Sequence, residues 1–402
     1  MTQSAKSRSL RGLDFINFTL ADVRDGIGPF LGIYLLSSQH WNLKDIGIVT
    51  SIATFAGVIV QTPAGAFVDR FKNKKIIVAI ASLLIGFGTL LILIKPGFTV
   101  VVVSQVIVGI AATFIAPSIA AMTLGLVGYK KLEQRTGRNE MFNHSGNVSS
   151  AVISGLIGYY LGLRGIFIFT LLLSFASVFF LRFINNEQID YRLSRGSSSK
   201  DEAQDSGSLS AIISNPLFLV FTTCCVLYHF ANAAMLPLAG QYIVSANKVD
   251  ASVYMSACIV IAQLVMVPTA AWSSRKSTNG RKWLMLICFA ALPVRGMLYT
   301  LSPNPYFITS VQILDGLSAG IFGVVSILII ADLTKGSGHF NLANGILITA
   351  IGLGASLSNV TGGYIANMFS FRYAFLFLSA VAALAFVICL LFMKETYDPE
   401  SE

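Results

Sequence analysis

The chain has 402 residues, 54% of them hydrophobic and only 12% charged, with a mean hydropathy of +0.72. That excludes a water-soluble globule, which needs far more polar surface. The formal net charge of +9 does not signal nucleic acid, which would need a basic face on a soluble domain; these charges sit in short segments between apolar runs, where membrane orientation accounts for them.

The first thirteen residues, MTQSAKSRSLRGL, are polar and basic without a signal-peptide core, so insertion proceeds through the first apolar helix. Runs long enough to cross a bilayer, about 20 apolar residues each, are predicted over 14–37, 44–68, 75–95, 99–128, 140–162 and 164–185, then over 213–243, 250–273, 282–301, 305–333, 340–366 and 372–394. The fold class is an all-α polytopic membrane protein with twelve transmembrane helices. With the N-terminus inside, 21 of the 28 Lys and Arg fall on the inner side. Lys44, Lys95, Arg164, Lys248 and Arg372 lie outside, and Arg24 and Arg295 lie within spans. This asymmetry predicts cytoplasmic N- and C-termini.

Between the sixth and seventh spans runs NNEQIDYRLSRGSSSKDEAQDSGSLS, the longest polar stretch, read as a cytoplasmic linker. The predicted organisation is a six-helix half over 1–184, a linker over 185–212 and a second six-helix half over 213–402. The cysteines Cys224, Cys225, Cys258, Cys288 and Cys389 all fall in apolar segments, with no CxxC pair and no His at metal-ligand spacing. They are read as packing residues, and no metal or cofactor is expected.

Ionisable groups near the bilayer centre cost at least about 2.5 to 3.5 kcal/mol on insertion scales, which makes each a functional candidate. The first span carries LADVRDGIGPF, with Asp22, Arg24 and Asp25 near mid-depth. Asp22 and Asp25 share a helix face, and Arg24 lies about 160° from Asp22. One carboxylate paired with an arginine leaves the other to take up a proton; the competing reading is an ion-pair network that only fixes packing. Gly26, Gly28 and Pro29 favour an irregular helix lining a cavity. His229 and His144 are candidates for titration near neutral pH, against the commoner role of a hydrogen-bonded packing histidine. Glu140, one turn before His144, and Asp332, at the inner end of the tenth span, are read as gate or structural partners.

The halves repeat. SQVIVGIAATF from Ser104 aligns with VQILDGLSAGI from Val311, matching Gln105 to Gln312 and Gly109 to Gly316 at an offset of 207, with Asp315 standing where the first half has Val108. PAGAFVDRFKNKK from Pro63 aligns with PTAAWSSRKSTNGRK from Pro268, and Lys74 and Lys75 meet Arg281 and Lys282. Landmarks recurring in the second and fourth helix of each half argue for duplication.

Twelve spans, a polar linker after the sixth, and GAFVDRFKNKK between spans two and three resemble the major facilitator superfamily. Gly65, Asp69, Arg70, Lys74 and Lys75 match its signature in that loop, and the Gly usual at Lys72 is missing. The resemblance covers the whole chain. It implies a non-enzymatic secondary active transporter with alternating access and a central cavity lined by the first, fourth, seventh and tenth helices. Asp22, Asp25, Gln105, His229 and Asp315 would then face one site; Arg295, in the peripheral ninth helix, would be a structural partner of an acid. Asp69 and Arg70 would latch the inner helix ends, and Lys72, Lys74 and Lys75 would hold the loop inside near anionic lipid head groups. Drug and metabolite antiporters of the superfamily often carry Arg where Gln105 stands, a departure that argues against a mechanism relying on a fourth-helix arginine.

The expected function is proton-coupled efflux of a small organic molecule across the bacterial inner membrane by a monomer, its partners being the substrate, protons and membrane lipids. Uptake of a nutrient or metal chelate is the alternative. A membrane enzyme is disfavoured because the four histidines, His40, His144, His229 and His339, are dispersed. A sensor is disfavoured for want of an output domain after the last span.

Overall fold

The computed structural model describes residues 3–25, 27–194, 214–246, 251–335 and 340–397, without the side chains of residues 3–6, Asp25, Tyr129, Glu133, Ala251 and Asn341. The side chain of Asp25, Gly26, the linker from 195 to 213, Lys248 and His339 therefore lie outside the described residues. The helices are α1 (Gln3–Asp25), α2 (Ile27–Ser37), α3 (Leu43–Arg70), α4 (Lys74–Ile94), α5 (Phe98–Val127), α6 (Leu132–Leu161), α7 (Leu163–Leu181) and the short α8 (Tyr191–Ser194). After the linker follow α9 (Pro216–Asn232), α10 (Met235–Ala246), α11 (Ala251–Lys276), α12 (Lys282–Tyr299), α13 (Pro305–Leu333), α14 (Phe340–Met368) and α15 (Phe371–Phe392).

Ten helices among the described residues are long and apolar enough to cross a membrane, counting α9 and α10 as one. The two remaining predicted spans are α1 with α2, which carries Asp22, Arg24 and Asp25, and α6, whose first half is polar. Large apolar side chains such as Leu84, Phe87, Leu172, Leu264, Ile313 and Leu391 are exposed, a pattern tenable only against hydrocarbon. Local sequence sets several helix starts: Asn215 and Asn304, each before a proline, accept from the backbone N–H groups of Leu217 and Phe218 and of Tyr306 and Phe307. Asn73 and Ser370 cap α4 and α15 in the same way.

The first compact unit comprises residues 1–35 and 52–202, and the second residues 36–51 and 203–402. In the first, Leu13, Ile16 and Leu20 of α1, Val78 and Ile85 of α4, and Val108, Ile115 and Met122 of α5 form the core. Gly109 of α5 lies so close to α3 that a Cβ would sit 2.0 Å from the Ala53 carbonyl oxygen; in the second unit a Cβ on Gly316 would sit 2.4 Å from the Ala262 carbonyl oxygen. The repeat glycines thus make the same backbone approach between the second and fourth helix of each half.

Two features differ from the sequence-based expectation. The N-terminal polar stretch is not a tail: α1 begins at Gln3, and Ser9 is buried, accepting from the Asn185 backbone and donating to Gln188 Oε1 at 2.7 Å. The seventh span is interrupted, with α9 ending at Asn232 and α10 resuming at Met235. His229 and Asn232 precede this break, and the repeat offset of 207 relates them to Asp22 and Asp25.

Candidate functional site

In the first unit a cavity of about 510 Å³ is bounded by α1, α3, α5 and α6, and Arg24, Asp69 and Glu140 all line it, with Asn17, Asn139 and Asn143. Arg24 is half-buried, whereas Asp69 and Glu140 are exposed; Glu140 accepts from Asn143 Nδ2 at 3.3 Å. Asp22 lies off this cavity. It is 4% exposed and accepts from Thr170 Oγ1 of α7 at 3.3 Å. Gln105 is buried on α5, and its Nε2 has no hydrogen-bond partner among the described residues. His144 is half-buried on α6.

The basic loop motif divides by side chain. Asp69 and Arg70 end α3 and are exposed, and Arg70 offers its carbonyl to the Tyr191 hydroxyl of α8 at 2.9 Å. Lys74 is not at the surface as the sequence suggests. It is 1% exposed and turned back to donate to the carbonyls of Val68 and Asp69, closing the end of α3. A buried ammonium is tolerable there because helix C-terminal carbonyls accept from it. Lys75 donates to the Ile184 carbonyl just past α7, and its repeat counterpart Lys282 donates to the Leu390 carbonyl in the last turn of α15 at 2.9 Å. Gly65 faces open space, with no atom within 4 Å of where a Cβ would lie.

The second unit holds the denser polar network. Arg295 of α12 is 1% exposed. Its Nη1 donates to Asp315 Oδ1 of α13 at 2.6 Å and to Asn232 Oδ1 of α9 at 2.7 Å, its Nε to the Tyr299 hydroxyl at 3.0 Å and its Nη2 to Gln312 Oε1 at 3.3 Å. One guanidinium therefore ties three helices around Asp315, with the geometry a desolvated cation requires. One turn before Asn232, His229 packs edge-on against Phe322 at 4.8 Å, and its Nε2 has no hydrogen-bond partner among the described residues. Tyr228 stacks on Phe322 at 5.3 Å and shares a hydrogen bond with Ser318.

At the end of this unit Asp332 accepts from Arg281 Nε at 3.1 Å and from Thr396 Oγ1 at 3.0 Å. Glu395 accepts from the backbone N–H groups of Arg281 and Lys282 at 2.7 and 3.1 Å. Partial burial pushes the Glu395 carboxyl up, but backbone donors, Arg281 first, outweigh it and hold it below the ordinary range.

Sequence reading missed Asp14, which is buried and accepts from Arg135 and Arg138 of α6 at 2.7 and 2.8 Å. It sits at the predicted edge of the first span, and both arginines read as orientation charges. Asn232 and Tyr299 were also missed. Gln312 was visible only as the repeat of Gln105, and that repeat was the available signal: the same register that aligns the glutamines brings Asn232 to the position of Asp25.

The sequence model described as Major Facilitator Superfamily matches residues 13–294 and 277–402. An uncharacterised MFS-type transporter of Mycobacterium tuberculosis, strain H37Rv, is 40% identical over 396 residues, 98% of this chain and 95% of the relative. The multi-drug resistance efflux pump PmrA of Streptococcus pneumoniae is 27% identical over 128 residues, 32% of each chain. A crystal structure of a mutant of the nucleoside transporter NupG superposes with a TM-score of 0.80 at 16% identity, covering 97% of this chain and all of that one; at that identity the likeness is one of fold.

Proposed function

The chain belongs to the major facilitator superfamily and is a multi-pass membrane transporter, and on that premise we propose that it couples proton movement to the export of a small organic molecule. The observation that carries the coupling is the Arg295–Asp315 pair beside Asn232, together with the buried Asp22 of α1, which stands at the repeat position of His229. A carboxylate held by one arginine has two states of different charge. Protonation leaves Arg295 without its counter-ion, and the helices that share it are favoured in another arrangement or by an anionic ligand group. Asp22, buried and accepting from the Thr170 hydroxyl, is the candidate for the titrating group in the first helix, and Asp25 stands beside it in the sequence.

Similarity to an efflux pump over a third of the chain favours export, while uptake of a nutrient or metal chelate is the second direction the fold allows. The bacterial relatives favour the inner membrane, and the surplus of Lys and Arg in the inner loops favours cytoplasmic termini. In this reading the exposed Asp69 and Arg70 and the neighbouring Glu140 and His144 form the inner gate, and the substrate, protons and surrounding lipid are the partners of a monomer. The test uses everted vesicles with a respiration-driven pH gradient and a panel of candidate compounds. A transported compound collapses the gradient only in vesicles containing the protein; if no compound does so while accumulation proceeds without a gradient, proton coupling is wrong.

A further inference from the structure

A second cavity in the first unit, about 820 Å³, opens between the start of α1 and the start of α6 and is separate from the one lined by Arg24 and Asp69. Four cations line it, Arg11, Lys131, Arg135 and Arg138, against the single carboxylate of Asp14. Both oxygens of Asp14 are engaged by the two guanidiniums, so its charge orients Arg135 and Arg138 and the described lining keeps a surplus of three positive charges. Arg135 is 6% exposed and is also held through its Nε by Asn139, which in turn donates to Thr123 Oγ1; this cation is fixed and buried, while the Arg138 side chain beside it is 52% exposed. Lys131 stands at the start of α6 without a side-chain cap hydrogen bond, where a cation opposes the positive end of the helix dipole. An anion at this place relieves that opposition.

The lining also holds the apolar Leu10, Val127 and Met141, beside Ser7 and Gln134, and Met141 is 55% exposed. Cations beside exposed apolar side chains match a phosphate carried on acyl chains better than a free ion. We infer that this cavity is a binding site for the phosphate head group of an anionic phospholipid, held by Arg11 and Lys131 over the Asp14–Arg135–Arg138 cluster. Lipid bound there ties the start of α1 to the start of α6, the two helices that also bound the neighbouring cavity.

The full-length protein is purified in a neutral detergent, and its thermal unfolding is followed while phosphatidylglycerol, phosphatidylcholine or soluble glycerol 1-phosphate is added. Phosphatidylglycerol raises the unfolding temperature saturably and phosphatidylcholine does not. In the double variant Arg11→Gln/Lys131→Gln, half-saturation needs about tenfold more phosphatidylglycerol. The double variant Arg275→Gln/Lys276→Gln, an equal loss of exposed charge in the other unit, responds as the parent does. Equal responses to the two lipids, or an unchanged response in the double variant, would overturn the site. Saturation by glycerol 1-phosphate at the same concentration as the lipid would overturn the lipid as its occupant in favour of a free phosphate ester.

Discussion

Arg295 on α12 and Asp315 on α13 form a 2.6 Å ion pair in which the arginine is 1% and the aspartate 18% exposed. Neither half of the pair has a counterpart in the first repeat, where Val108 takes the place of Asp315 and Gly88 lies at the Arg295 offset. The two halves therefore place their buried charge differently: the second as a pair on the ninth and tenth helices, the first as Asp22 on the first helix and as the Asp14–Arg135 pair between the first and fifth spans.

Removing one partner of such a pair leaves an uncompensated buried charge. Arg295→Met is expected to destabilise the protein by about 3–5 kcal/mol, and Asp315→Asn by a comparable amount. The double variant should recover much of the loss, because two neutral groups need no counter-ion. Thermal unfolding of the four proteins in one detergent gives the coupling; strictly additive losses would show that the pair acts as two independent residues.

Gly109 and Gly316 are expected to behave alike and Gly65 differently. Valine at either repeat glycine drives a side chain into the backbone of the facing helix, and folded yield by gel filtration should fall to a small fraction of the parent. Gly65→Ala has open space around its Cβ and should leave yield and unfolding temperature within a degree or two, since a helix interior favours Ala over Gly by up to about 1 kcal/mol. A loss of transport by a well-folded Gly65→Ala would then point to another conformation in which that space closes.

The lysines of the repeat can be told apart by what they hold. Lys75→Met and Lys282→Met each remove a cation from the carbonyl end of the last helix of their half, at an expected cost of about 0.5–2 kcal/mol each. Lys72→Met, at an exposed position, should cost next to nothing. Equal effects from all three would mean that the basic loop acts only through its net charge.

Glu395 carries a pH dependence with a definite sign. Its folded carboxyl lies below the ordinary value of 4.5, so its contribution is present above the unfolded value and is lost as pH falls through the folded one. From about pH 5 down to about pH 3 the parent should lose more stability than Glu395→Gln, whose amide cannot titrate. Parallel curves for the two proteins would remove Glu395 as the anchor of residues 393–397 on the start of α12.

The twelve spans and the duplication were legible because hydrophobic length and loop charge are properties of local sequence. The break in the seventh span was less so, because Ala233 and Ala234 carry no signal for it. Lys74 shows the limit of reading charge by neighbourhood, since a basic run looks solvated until the end of α3 bends its carbonyls onto one member of it. Asp14 shows the limit of reading spans by depth. Its partners lie more than a hundred residues away on α6, and no periodicity within α1 points to them. Asp315 was visible as a charge in an apolar helix, and Arg295 likewise, but their pairing depends on how α12 and α13 pack.

Proton coupling is proposed through the Arg295–Asp315 pair together with the first-helix carboxylates, and substitution of those two carboxylates tests it most directly. Substrate accumulation in everted vesicles is measured with and without an imposed pH gradient for the parent, Asp22→Asn, Asp25→Asn and the double variant, at matched amounts of folded protein. Proton coupling through this helix predicts that at least one single variant and the double variant lose gradient-driven accumulation while still binding substrate. If all three retain it at the parental level, the coupling does not run through Asp22 or Asp25.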